Sequence, residues 1–270
     1  MAKLRFGNRL PRYTLLVFFT VCIVLGIAVL YRLLGTAFTP SLMGNVTRLF
    51  EDDKLVAALE NTFWLFVFSA ATQITMSIAV TIYVDEVSSV AKILLVLPFA
   101  MGVVAPGFSV LVFFSTAIGP LEINVLGSPL GSRFAVVFVD TWQWLGILLV
   151  ACFLTVEQIP KSYYEQAQLE GIARFRRWWL VSRPELQRIF LLYAGLRLVD
   201  WLRKVDIIKA LSGEGGPGYA VETLGMYIVK TYFQSAGRGY ATFLTLLQVV
   251  LLGSILGLII RRSRFTTVVD

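Results

Sequence analysis

Apolar runs about as long as a bilayer is thick recur along this chain, separated by short charged segments. No other feature limits its fold so strongly. The runs cover about residues 13–34, 62–84, 93–114, 134–155, 189–211 and 243–260. A hydrocarbon core of about 30 Å takes roughly 20 helical residues to cross. The 270 residues therefore suit about six spans plus loops. Composition agrees: 57% of residues are apolar, 15% are charged and mean hydropathy is +0.76. A soluble domain is nearer half apolar and a quarter charged. The expected fold class is an all-α membrane protein of about six transmembrane helices, a single transmembrane domain over 1–270.

Charge placement orients it. Lys3, Arg5, Arg9 and Arg12 precede the first run, and no small-x-small cleavage site follows it. This predicts an uncleaved first helix with a cytoplasmic N-terminus. Six spans then put both termini inside, with cytoplasmic segments 1–12, 85–92, 156–188 and 261–270. These hold fourteen of the 24 Lys and Arg residues, and the outer segments hold nine. The net charge of +7 thus reflects membrane topology, and nucleic acid is not an expected partner. The absence of histidine removes the commonest general base and the commonest metal ligand. Cys22 and Cys152 lie inside apolar runs and read as packing residues, so no metal site is expected.

Two segments break the apolar pattern. The first, residues 159–188, is too polar to span. Tyr164 to Leu169 suits a short helix that Gly171 ends. An amphipathic stretch with Phe175, Trp178 and Trp179 among arginines follows, and Pro184 is expected to limit it. On the residues alone this knob suits either an interfacial anchor or a docking element. The second is the run from Ile189, which carries Arg197, Asp200, Arg203, Lys204, Asp206 and Lys209. Charges in a span face a bundle interior or a watery cavity. The run reads as a helix lining a path, or as a short span emerging near Arg203.

Residues 159–188 resemble the "EAA" loop of binding-protein-dependent ABC importer permeases, whose pattern is I-P-x-x-x-x-E-A-A-x-x-D-G-A, then aromatic residues and a proline. Ile159, Pro160, Glu165, Ala167, Gly171 and Pro184 fall at those spacings. Glu170 stands for the usual Asp, Gln166 for the first Ala, and Arg188 where a second proline is frequent. Residues 211–217, LSGEGGP, followed by Glu222-Thr223-Leu224 and Tyr227-Ile228, resemble a pattern of the maltose and glycerol-3-phosphate permeases, with one extra residue before the glycine pair. Asn61-Thr62, Gly119-Pro120 and Asn124 also fit.

The resemblance implies a type I importer permease in a bacterial or archaeal cytoplasmic membrane, importing a sugar or sugar-like solute. The loop would dock as a coupling helix on an ATPase. Glu165 would be its charged contact, Gly171 the turn, and Phe175, Trp178 and Trp179 apolar anchors, with Ala167, Glu170 and Pro184 completing the motif. Gly215, Gly216 and Pro217 would face a solute-binding protein. The other implied partners are a second permease and two ATP-binding subunits, which would hold ATP and magnesium. This chain has no G-x-x-x-x-G-K-[ST] phosphate loop and is expected to bind no cofactor and catalyse nothing alone.

Arg197, Asp200, Trp201, Arg203, Lys204 and Asp206 are the candidate solute path. Their alternative role is to pair with one another or with a partner permease. A sugar phosphate or amino acid remains open as solute. An intramembrane enzyme is disfavoured, because histidine is absent and Asp200 has only Asp206 as a nearby carboxylate in its own run.

Overall fold

The computed structural model describes residues 42–83, 125–234 and 237–265, together with Tyr31 and Gly35. The run at 93–114, nearly all of that at 13–34, and Gly119, Pro120, Asn124 and Cys22 lie outside the described residues. The described residues form helices and turns without strands: α1 (Leu42–Glu51), α2 (Asp53–Ile82), α3 (Pro129–Glu157), α4 (Lys161–Leu169), α5 (Arg174–Arg177), α6 (Arg183–Leu202), α7 (Asp206–Ser212), α8 (Leu224–Phe233) and α9 (Arg238–Phe265). Among them α2, α3 and the Arg238–Ile255 part of α9 are long and apolar enough to cross a membrane. The chain is thus an all-helical, multi-pass membrane protein.

Two compact units are distinguished. One contains α1 and Lys230–Val249, where the Arg48 guanidinium lies 4.4 Å from the centre of the Tyr240 ring. The other contains Asp52–Val229 with the rest of α9. In this larger unit α2 and α3 pack along much of their length, and α6 packs against both.

The amphipathic logic of α2 is inverted. Thr62, Ser69, Gln73, Ser77 and Thr81 are buried, while Phe63, Trp64, Phe68 and Met76 are exposed. In water such an apolar outer face would be a liability. In lipid it is the solvent-facing side, and polar groups must find partners inside the bundle. The outer faces of α2 and α3 border an open groove of about 1230 Å³, lined by Trp64, Phe68, Phe134, Phe138 and Trp142 among others.

Helix starts follow capping chemistry. The Asp52 carboxylate accepts from the Leu55 N–H at 3.2 Å and opens α2. The Ser128 hydroxyl accepts from the Gly131 N–H at 3.1 Å, and Pro129 fits the first turn of α3, where its missing N–H costs nothing. This start lies five residues ahead of the apolar run at Phe134, because the cap and not hydropathy sets it.

One expectation is corrected here, and one left open is decided. Pro184 does not limit the helix before it. A π-helical turn, Trp178–Ser182, carries the chain from α5 into α6, where Pro184 sits in the first turn, a position that needs no proline N–H. Of the two readings of the run from Ile189, a helix that ends near Arg203 is the one present. α6 stops at Leu202 with Arg203 as its C-cap, and α7 begins at Asp206. Ile207, Ile208 and Leu211 then pack with Leu65, Val136, Val139 and Trp201 in a core cluster. The second half of the run is apolar because it covers α2 and α3, not because it continues a span. Gly253 and Gly257 of α9 meet no atom of the described residues within 4 Å of where a Cβ would lie.

Candidate functional site

The loop between α3 and α6 forms a knob. α4 starts three residues earlier than Tyr164 and ends as its sequence indicates. Gly171 has φ +66°, its N–H reaches the Gln168 carbonyl, and the Ile172 N–H reaches the Ala167 carbonyl, both at 3.0 Å. This is the double closure of a glycine-terminated helix. Glu165, Glu170, Gly171, Phe175, Trp179 and Pro184 are exposed, and Ala167 is turned inward. Arg183 lies over the Trp179 ring at 4.0 Å and Arg174 over the Tyr83 ring at 5.0 Å.

Trp178 departs from its expected role as an exposed anchor. It is only 4% exposed and packs with Leu148, Cys152, Leu186 and Tyr193. Its indole N–H donates to the Thr81 hydroxyl at 3.1 Å. The π-helical turn begins at Trp178 and directs that ring into the bundle, leaving Phe175 and Trp179 outside.

Midway along α2 and α3 lies an enclosed ring of charges. The Asp140 carboxylate accepts from Arg197 through one oxygen and from the Lys204 ammonium, at 2.6 Å, through the other. The Asp200 carboxylate accepts from the same two cations, from Arg197 at 2.5 Å and from Lys204 at 2.6 Å. Ser69 donates to Asp140, and the Gln73 amide donates to it at 3.1 Å. The Tyr193 hydroxyl donates to the Gln73 carbonyl at 2.8 Å. Arg197 and Lys204 also face the Trp144 ring, at 4.5 and 5.6 Å, and Lys204 faces Trp201 at 5.1 Å. Two acids balance two bases. Asp200, 16% exposed at its side chain, is the most open member.

Of the six residues proposed for the path, Arg197, Asp200 and Lys204 belong to this ring and Trp201 is buried beside it. Arg203 and Asp206 are exposed and outside it. Arg197, Asp200 and Trp201 share a face of α6, and Lys204, just past its end, is buried back against the same ring, while Arg203 points elsewhere. Sequence reading missed Asp140, Gln73, Ser69, Tyr193 and Trp144. Asp140 carried a legible signal, since it is the sole charged residue of the run at 134–155 and such groups in spans are rarely idle. Three buried donors around the ring, Arg197 Nε, Trp144 Nε1 and Trp201 Nε1, make no hydrogen bond among the described residues. No cluster of His, Cys, Asp and Glu suited to a metal occurs among the described residues.

The glycine-rich loop docks at the other end of α2. Asn61 Nδ2 donates to the Tyr219 carbonyl, and Arg133 Nε to the Ala220 carbonyl, each at 3.0 Å. The Thr62 hydroxyl accepts from the Leu224 N–H at 2.9 Å, and the Thr223 hydroxyl donates to the Lys204 carbonyl. Asn61-Thr62 and the glycine-proline stretch, 150 residues apart in sequence, thus form one structure. Thr62 and Thr81 are separated by roughly 30 Å at about 1.5 Å per residue, so the glycine-rich loop and the knob lie at opposite ends of a membrane-length helix. Gly215 is buried, has φ +108°, and an added Cβ would lie 3.0 Å from Glu222 Cβ. Gly215→Ala is expected to cost about 1–3 kcal/mol locally. Limited proteolysis should then cleave residues 213–223 faster than in the native chain, with the rest unaffected.

These features define a multi-pass helical membrane protein with charges enclosed at the depth of its spans, and its fold is one seen in ABC transporters. A solved chain of the bacterial alginate ABC transporter, in complex with an alginate pentasaccharide-bound periplasmic protein, superposes with a TM-score of 0.76 over 95% of this chain and 96% of that one, at 20% identity. Among curated proteins, the trehalose/maltose transport system permease protein MalF of Thermococcus litoralis is 29% identical over 148 residues, 55% of this chain and 50% of that protein. The lactose transport system permease protein LacF of Rhizobium radiobacter is 24% identical over 71% of this chain and 70% of its own length. The multiple sugar-binding transport system permease protein MsmF of Streptococcus mutans is 28% identical over 53% and 49%. The matches to MalF and MsmF thus span about half the length of those relatives. No family model matches the chain. The resemblance to carbohydrate-uptake permeases read from the two motifs recurs in these sequence matches.

Proposed function

We propose that this chain is the transmembrane subunit of an ATP-driven, binding-protein-dependent importer and forms half of the path for a sugar or sugar-like solute. The observation that carries this reading is the coincidence of three sugar-permease relatives with an ABC transporter fold over 95% of the chain. The exposed Glu165, Glu170, Phe175 and Trp179 support a docking role for the knob, which would place it and both termini in the cytoplasm of a bacterial or archaeal cell. A second permease would complete the path, two ATPase subunits would hold ATP and magnesium, and a solute-binding protein would meet the loop around Gly215, Gly216 and Pro217. Hydrolysis belongs to those ATPases, and this chain performs no catalysis alone.

The ring bears on the solute. Its charges cancel, which leaves no excess cation to bind a phosphate. The N–H groups of Arg197, Trp144 and Trp201 that make no hydrogen bond among the described residues, with two indole rings, suit hydroxyl acceptors and the apolar face of a sugar. Uptake by the assembled importer is expected to be competed by uncharged saccharides and not by sugar phosphates. Competition only by phosphorylated sugars would overturn the neutral assignment. Purification of the chain in mild detergent should bring an ATPase and a second permease with it, as read by mass spectrometry. A chain that purifies alone even after crosslinking would remove the importer reading.

A further inference from the structure

Thr62, Ser69, Gln73, Ser77 and Thr81 form one buried polar face of α2, spaced by seven residues and then by fours. Their side chains reach across to other parts of the chain. Thr62 holds the Leu224 N–H of the glycine-rich loop, and Ser69 and Gln73 hold Asp140. Ser77 meets the Cys152 thiol at 3.2 Å, and Thr81 accepts from Trp178. A hydroxyl on a membrane helix is ordinarily satisfied by its own backbone. Thr81 already donates to the Ser77 carbonyl at 2.9 Å, so the bond from Trp178 is additional. It is a direct polar tie between the knob and α2. The Trp178 ring fills its pocket either way, since Leu148, Cys152 and Leu186 surround it.

We infer that Thr81 and Trp178 are positioning residues for coupled import: their hydrogen bond passes movement of the knob to α2, whose polar face extends to the Asp140 ring and to the outer loop. The inference rests on the importer reading. Two features of the geometry favour transmission over simple cohesion. Trp178 begins the π-helical turn between α5 and α6. A π turn carries one residue more than an α turn, so its loss would swing Trp178 about 100° around the helix axis. The apolar remainder of the Trp178 pocket also holds the helices together without the N–H. The bond therefore adds orientation more than cohesion.

The test uses the whole importer in proteoliposomes and measures solute imported per ATP hydrolysed, alongside chain abundance and complex yield. Trp178→Phe and Thr81→Val each keep the packing and remove one side of the bond. Both are expected to assemble normally and to hydrolyse ATP in response to loaded binding protein, while importing at least fivefold less solute per ATP. Thr81→Ser, which keeps the hydroxyl, should restore the native ratio. The double variant should be no worse than either single variant, because both remove the same bond. Native ratios in Trp178→Phe and Thr81→Val, or losses that multiply in the double variant, would overturn the inference alone. A native chain that recruits no ATPase overturns the importer reading and this inference with it.

Discussion

Asp140→Asn is expected to abolish uptake and to leave the chain thermally fragile in detergent. Asp140 is fully buried and holds Arg197 and Lys204 at once. Its removal leaves two cations sharing the single carboxylate of Asp200 in a low-dielectric interior. Breaking a buried ion pair from one side costs about 3–5 kcal/mol, because the remaining charge has lost its compensation. For a chain of this size that corresponds to a fall in melting temperature of roughly 6–15 °C. The compensating change distinguishes charge balance from the loss of one hydrogen bond. Asp140→Asn combined with Lys204→Met again pairs one cation, Arg197, with one carboxylate, Asp200, to which Arg197 already donates. The double variant should regain more than half of the lost stability, read by size-exclusion of the heated detergent-solubilised chain, while uptake stays lost. An Asp140→Asn chain as stable as the native one would show that the four charges are not interdependent.

The legibility of this ring in the sequence was partial for a definite physical reason. The charges of the run from Ile189 announced themselves by hydropathy, and their shared helical face was computable from spacing. Their partner was not. Asp140 lies 57 residues before Arg197, across the knob, and only packing of α3 on α6 brings them together. Ser69 and Gln73 were less visible still, since uncharged polar residues hardly perturb an apolar run. Local devices were read more fully. Gly171 ends α4 as its position indicates, and the separation of the glycine-proline loop from the knob followed from span counting. Trp178 shows the limit in the other direction. Its neighbours Phe175 and Trp179 are exposed as an amphipathic surface stretch should be, but a π-helical turn is not encoded in hydrophobic periodicity. The break at Arg203 was left as one of two readings because residues 207–211 are apolar for a tertiary reason. They cover α2 and α3, and periodicity cannot tell that from lipid.

Glu165→Lys should give a chain of normal abundance and folding that imports nothing and recovers no ATPase. Glu165 is exposed on α4 and no hydrogen bond or ion pair inside the described chain involves its carboxylate, so the fold loses nothing when its sign is reversed. A surface substitution of this kind ordinarily changes stability by about 0.5 kcal/mol or less. At an interface a reversed charge costs far more, since like charges brought together on docking oppose each other by several kcal/mol. Gly171→Asp probes the same surface through the turn. An added Cβ there meets no atom within 4 Å, and Asp is among the residues that tolerate positive φ. The turn should persist with about 1 kcal/mol of strain, placing a new carboxylate beside the docking helix. Both variants should therefore melt within a few degrees of the native chain and fail in transport. If either variant instead transports normally with the ATPase bound, the knob is not the docking element, and the exposed Phe175 and Trp179 are left as anchors in the bilayer interface.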